Sequence, residues 1–132
     1  MDTDEDDPQK LCGLYLDYFY GQGRAADESR AVGCLTRAAE AGYAPAQCEL
    51  GVLYAEGRGI TRNDEKAFFW LARAAAKGNL TAQMSLGNAY CAGTIVPPDL
   101  TRALYWYQKA ASGGHRGASQ MLQTLSGTKN AD

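Results

Sequence analysis

Residues 46–78 read AQCELGVLYAEGRGITRNDEKAFFWLARAAAKG, and residues 82–114 read AQMSLGNAYCAGTIVPPDLTRALYWYQKAASGG. The two stretches align without a gap at a spacing of 36 residues. One period earlier, Leu14, Tyr18, Gly21, Ala31, Ala38, Ala39 and Gly42 fall into the same columns. Their counterparts are Leu50, Tyr54, Gly57, Ala67, Ala74, Ala75 and Gly78, then Leu86, Tyr90, Gly93, Ala103, Ala110, Ala111 and Gly114. Identities across three rows at one offset mark a tandem repeat, with one supersecondary unit per period.

Each unit reads as two helices. Over residues 46–56, Ala46, Leu50 and Tyr54 recur every fourth residue with Gln47 and Gly51 beside them, which is one face of a helix. Gly57 stops that helix in the left-handed conformation glycine tolerates. Asn63, with Asp27 and Asp99 in its column, opens the second helix, its side-chain oxygen taking a free backbone N–H. The second stripe is Ala67, Trp70, Leu71, Ala74 and Ala75, repeated as Ala103, Trp106, Tyr107, Ala110 and Ala111. No stretch alternates as a strand does. One hairpin cannot bury its stripe alone, so the units must stack. The expected fold is all-α: a right-handed superhelical α/α solenoid of repeats 10–45, 46–81 and 82–117 with a capping helix over 118–126. Its expected core is Leu14, Tyr18, Leu50, Gly51, Tyr54, Ala67, Trp70, Ala74, Ala75, Leu86, Gly87, Tyr90, Ala103, Trp106, Ala110 and Ala111. Gly51 and Gly87 let paired helices approach, while Tyr54, Trp70, Tyr90 and Trp106 fill the space between units.

A chain of 132 residues, 45% hydrophobic and 21% charged, is long enough for one folded domain, here residues 9–126. No apolar run reaches membrane-spanning length. Five of the 15 acids (Asp2, Asp4, Glu5, Asp6, Asp7) lie in the first seven residues, so residues 1–8 read as a solvated, disordered acidic tail. Residues 127–132 read as a flexible C-terminus. The rest sets 13 basic residues against 10 acidic ones, too small a surplus for nucleic-acid binding.

The pattern Ala-Gln-x-x-Leu-Gly-x-x-Tyr-x-x-Gly-x-Gly-Ile, then Lys-Ala-x-x-Trp-x-x-x-Ala-Ala-x-x-Gly, resembles the Sel-1-like repeat, a short relative of the tetratricopeptide repeat. The resemblance runs over roughly residues 10 to 126. It implies a helical superhelix that acts as a protein–protein adaptor or scaffold, without catalysis. Rows one and four depart from it. Tyr15 stands in the column of Gly51 and Gly87, and Gly33-Cys34 in that of Phe69-Trp70. Row four carries Gln123 in place of the glycine. These read as end units, and Ser119, Gln120, Gln123 and Thr124 give the last helix a polar side.

Candidates for chemistry are few. Gly21-Gln22-Gly23 and Gly57-Arg58-Gly59 mimic phosphate loops, but they follow helix C-termini, where the dipole repels anions. His115, the one histidine, sits in a turn with no acidic neighbour. Cys12, Cys34, Cys48 and Cys91 form no metal-binding spacing. They read as small buried thiols, with Cys12–Cys34 and Cys34–Cys48 as conceivable bridges. No catalytic residue, metal or cofactor is expected.

The free side of the first helices is the candidate binding face, expected to be concave. Opposite the inward stripe lie Leu16, Asp17 and Tyr20, then Glu49, Val52, Leu53 and Glu56, then Ser85, Asn88, Ala89 and Ala92. Phe19 joins them, because one helix cannot bury all of Tyr15, Tyr18, Phe19 and Tyr20. The expected partner is a protein or peptide, with no nucleic acid and no membrane insertion. Two other roles follow from the resemblance. One is a dedicated inhibitor, such as the immunity partner of a bacterial toxin. The other is β-lactam binding or slow hydrolysis, against which stands the lack of a nucleophile beside a base. The resemblance also favours a periplasmic or secreted location, with the leader removed, over a cytoplasmic one.

Overall fold

The computed structural model describes residues 7–21 and 27–126. Seven helices follow one another: α1 (Pro8–Tyr20), α2 (Glu28–Glu40), α3 (Ala44–Glu56), α4 (Asp64–Ala76), α5 (Leu80–Ala92), α6 (Leu100–Ser112) and α7 (Arg116–Ser126). No strand occurs among the described residues. Each helix packs on the next in chain order, which makes an all-α solenoid. Asp7 and Pro8, expected in the acidic tail, instead begin α1: Asp7 caps it and Pro8 takes the first turn, where a missing N–H costs nothing. Residues 1–6 and 127–132 lie outside the described segments.

Local chemistry repeats with the period. Asp27, Asn63 and Asp99 accept a hydrogen bond from the backbone N–H of Arg30, Lys66 and Arg102 at 3.1, 3.0 and 3.1 Å, and so start α2, α4 and α6. Gly57 and Gly93 end α3 and α5 at φ 71° and 73°, where any side chain would be strained. After each stop the chain doubles back, and the N–H of Asn63 and Asp99 donates to the carbonyl of Tyr54 and Tyr90 at 3.0 and 2.9 Å. The tyrosine column thus marks where the loop is tied to the helix it has left. The last helix starts differently. His115 Nδ1 accepts the Ala118 N–H at 3.1 Å, so the imidazole caps α7.

Interior first helices bury two stripes. Ala46, Leu50 and Leu53 of α3 pack with Ala38 and Ala39 of α2, while Cys48 packs with Leu71 and Ala74 of α4. Ala82 and Leu86 of α5 meet the same α4 residues from the other side. A Cβ on Gly51 would stand 2.7 Å from Leu71 Cγ, and one on Gly87 2.6 Å from Tyr107 Cδ1. These glycines are therefore fixed by the large residue opposite each. Gln47 and Gln83 are buried, and their Nε2 groups donate to the Ala39 and Ala75 carbonyls, each at 3.1 Å. Each glutamine so adds a side-chain donor to a carbonyl that already accepts the Gly42 or Gly78 N–H at 3.0 Å, and ties its helix to the end of the preceding one.

Burial in the first unit differs from the expected columns. Leu14 and Tyr18 are half-buried, and the α1 core is instead Leu11, Tyr15 and Phe19. Tyr54, Tyr90, Trp70, Trp106 and Ala111 are half-buried as well, while the other expected core residues of the second and third units are buried. Trp70 packs against the α1–α3 core and Trp106 against the α3–α5 core, each with one edge in solvent.

Candidate protein-binding face

With α2 and α4 covering α3 on two sides, one arc of α3 stays open. It carries Glu49, Val52 and Glu56; the same arc of α5 carries Ser85, Asn88 and Ala92, and that of α1 carries Gly13, Leu16 and Tyr20. Leu16 is 46% exposed and Tyr20 58%. Three expected members are not on this face. Leu53, Ala89 and Phe19 are 1%, 4% and 8% exposed. At about 100° per residue, positions 53 and 89 rotate away from the open arc toward the second helix of the preceding unit. Asp17 holds the same position in α1, where no helix precedes it among the described residues, and is half-buried. Phe19 lies with Leu11 and Tyr15 on the inward stripe, and the Arg58 guanidinium lies 4.8 Å from its ring centroid. Of the four clustered aromatics, Tyr15 and Phe19 turn inward, Tyr18 is half-buried and Tyr20 points out.

Between α3 and α5 the face deepens into a hollow of about 300 Å³. Val52, Ala55 and Glu56 form one wall, Ser85, Asn88 and Ala92 the other, with Leu71 at the floor and Thr94 and Ile95 at one end. The hollow exists because α5 offers small residues opposite Val52 and because the loop isoleucine closes it. Two of its neighbouring polar groups are held from beneath by phenols. Tyr15 Oη donates to Glu49 Oε2 at 2.7 Å, and Tyr107 Oη donates to Asn88 Oδ1 at 2.7 Å. Burial, then the hydrogen bond and charge of Glu49, raise the Tyr15 phenol above its ordinary range. Burial, then nearby Cys91, push Tyr107 up to about 12. Glu49 also faces two thiols. Burial first and its charge second raise Cys12, and push Cys48 up to about 11. All four cysteines are free thiols, so neither conceivable bridge is present. Cys48 is both buried and hard to ionise, which makes it an inert apolar filler and a poor nucleophile.

Sequence columns did not disclose the Tyr15–Glu49 bond, because the partners are 34 residues apart and neither type recurs in its column. The hollow itself was not expected; the sequence offered only a run of small residues in row three. Among the described residues, no group of three or more His, Cys, Asp or Glu side chains is placed to hold a metal ion. None of the described helices is long and apolar enough to cross a membrane.

Similarity to known proteins agrees with this geometry. The Sel1 repeat family model matches residues 10–43, 44–79 and 80–115. A crystal structure of a Sel1 repeat protein from Oxalobacter formigenes is 37% identical, covers 92% of each chain and superposes with a TM-score of 0.83. The c5321 protein, described as a protective antigen of uropathogenic Escherichia coli with an SLR fold, is 32% identical with a TM-score of 0.87. That match covers 93% of this chain and only 26% of c5321. Helicobacter pylori cysteine-rich protein B shares the fold at 20% identity and a TM-score of 0.72, covering 86% of this chain and 88% of its own. No curated protein sequence matches. With three tandem matches over most of its length and the same stack of helix pairs, the chain belongs to the Sel1 repeat family.

Proposed function

We propose that the chain is a non-catalytic binding module, and that its partner is a polypeptide segment lying along the open arcs of α1, α3 and α5. The hollow between α3 and α5 carries this reading. It is apolar at its floor, small-sided, and bordered by Glu56, which suits an apolar side chain with a cation beside it. Leu16 and Tyr20 extend the same face with exposed apolar surface of the kind that anchors protein contacts. Sel1 repeats serve as protein-interaction modules, which supports the same reading. The residues proposed to meet the partner are Leu16, Tyr20, Glu49, Val52, Glu56, Ser85, Asn88 and Ala92.

Capture of partners from the lysate of the source cell, with the full chain as bait, tests this. Ala92→Arg fills the hollow from an exposed position and Val52→Arg from a half-buried one, so helicity is expected to stay, most surely in Ala92→Arg, and the partner to be lost. Leu16→Ala with Tyr20→Ala is expected to weaken binding about tenfold. Retention of the partner by all of these variants would reject the face. A single protein captured one-to-one points to a dedicated inhibitor, and several proteins to an adaptor. A chromogenic β-lactam is expected to remain unhydrolysed by the intact protein.

A further inference from the structure

Charge is divided unevenly along the chain. Residues 66–131 hold seven basic residues and one acid, Asp99, which Arg102 pairs at 2.6 Å, although the whole chain stands at -2. Within this basic half, α4 and α6 carry the same outward group one period apart: Phe69, Trp70 and Arg73, then Tyr105, Trp106 and Lys109. Phe69 and Tyr105 are large aromatics left 47% and 52% exposed. Each stands edge-on to the half-buried tryptophan beside it, with centroids 5.0 Å apart and the rings at 83° and 81°. The cation one turn on lies over each ring, Arg73 Cζ at 4.7 Å and Lys109 Nζ at 5.8 Å from the centroid. Neither cation hydrogen-bonds to a described residue or pairs with a described carboxylate. Unit one has Gly33 and Cys34 in these columns, so the group is confined to units two and three.

Each group borders a hollow, of about 400 Å³ beside Phe69 and Arg73 and about 570 Å³ beside Tyr105 and Lys109. A buried glutamine lines each one, Gln47 in the first and Gln83 in the second. Position 47 lies about 200° around α3 from Glu49, so these hollows face away from the open arcs of the first helices. The glutamine Nε2 groups are spent on the Ala39 and Ala75 carbonyls. Their Oε1 atoms are closed to solvent and have no partner among the described residues. Glu40 and Lys77 also line the first hollow, where Lys77 Nζ donates to the Gly42 carbonyl.

We propose that the outer side of α4 and α6 binds an extended acidic polypeptide. Its carboxylates pair with Arg73 and Lys109, which have no other anion to meet. Its apolar side chains lie on Phe69 and Tyr105, and its backbone N–H groups reach the Gln47 and Gln83 oxygens as the exposed side chains around the hollows shift. A polynucleotide has the anions but no backbone N–H donors. The tryptophan beside each ring and the cation over it hold the surface in place, so little ordering is needed on binding. The proposal does not rest on the open arcs of α1, α3 and α5, which lie on the other layer of the solenoid and suit a cation.

Fluorescence anisotropy of a labelled peptide of about 20 residues repeating Glu-Leu-Glu-Gly, titrated with the full chain, tests it, with circular dichroism as the folding control. The wild type is expected to bind with a Kd below about 100 µM, more weakly as salt rises. Arg73→Gln with Lys109→Gln is expected to weaken binding at least tenfold. Phe69→Ala with Tyr105→Ala leaves the charge unchanged and is expected to weaken it at least fivefold. All four side chains are exposed, so both double variants are expected to stay folded. Ala92→Arg, which fills the hollow between α3 and α5, is expected to bind the peptide within about twofold of wild type, so the two surfaces are tested separately. A wild type that ignores the peptide, or either double variant binding like wild type, would overturn the proposal. So would a labelled oligothymidylate of equal length bound as tightly, since the surface would then be a general polyanion site.

Discussion

The first and last described helices, α1 and α7, are both first helices of a unit, and each has a neighbour on a different side. Among the described residues α1 has no helix before it, and it keeps the stripe toward α2 and α3: Leu11, Tyr15 and Phe19. α7 has α6 before it and keeps the opposite stripe, with Ala118 buried and Leu122 and Leu125 half-buried. The face that α7 leaves open is polar, with Ser119, Gln120, Gln123 and Thr124 exposed. The open side of α1 is not neutralised in this way: it mixes Lys10 and Asp17 with Leu14, and Leu16 and Tyr20 stand exposed around it. Among the described residues, the open side of α7 is uniformly polar, while that of α1 mixes charged residues with exposed apolar surface.

The column holding Tyr15, Gly51, Gly87 and Gln123 tests the comparison most severely. Gly87→Ala puts a Cβ 2.6 Å from the fully buried ring of Tyr107, which has no room to withdraw. Overpacking of this kind costs about 1–3 kcal/mol, and the shared ring makes the upper end the expectation, partly offset by about 1 kcal/mol of better helix propensity. Gln123→Ala in the exposed arc of α7 is expected to stay within about 0.5 kcal/mol. Urea denaturation of both variants measures the contrast. Equal losses would mean that α7 is packed as tightly as α5.

The leucine column separates the ends from the middle. Leu50→Ala empties a fully buried site and is expected to cost about 2–5 kcal/mol. Leu14→Ala at the half-buried end is expected to cost about 1 kcal/mol or less in the monomer. If Leu14→Ala matched Leu50→Ala at low protein concentration, α1 would be covered by something in the monomer.

A smaller effect concerns the buried phenols and thiol. Tyr15, Cys48 and Tyr107 all have raised pKa values in the folded chain. Between their unfolded values and their folded ones, the folded state holds more protons than the unfolded state, so stability falls as pH rises. The full contribution is present below about pH 8, where an unfolded thiol begins to ionise, and is lost progressively above it. Thermal melts are expected to drop by a few degrees from pH 8 to 10.5. Tyr15→Phe removes the bond to Glu49, costs about 1 kcal/mol at neutral pH, and makes the alkaline slope shallower. An unchanged slope in that variant would remove Tyr15 from the explanation.

The architecture was legible because caps, glycine stops and apolar columns are local and repeat with the period. Asp27, Asn63 and Asp99 could be read as caps from one column alone. Burial at the ends was not, because it depends on whether a helix has a neighbour on each side, and Leu14 carries the same letter as Leu50. The inclusion of Leu53 and Ala89 in the binding face failed for a related reason: interior first helices are wrapped on two sides, so their open arc is narrower than an amphipathic pattern suggests. The support of Glu49 by Tyr15 crosses from one unit to the next and involves unrepeated residue types, so no periodic signal could have found it.

If the polar side of α7 matters as a finish, making it apolar should change association and leave folding alone. Ser119→Leu with Gln123→Leu gives α7 an exposed apolar stripe in the positions that Leu11 and Tyr15 occupy in α1. Both side chains are exposed, so the melting temperature is expected to move by no more than about a degree. Sedimentation is where the change should appear, as self-association absent from Gln123→Ala. A variant that stayed as soluble and as monodisperse as its parent would show that the polar residues of α7 reflect mere exposure. The contrast between the ends would then rest on the charges of α1 alone.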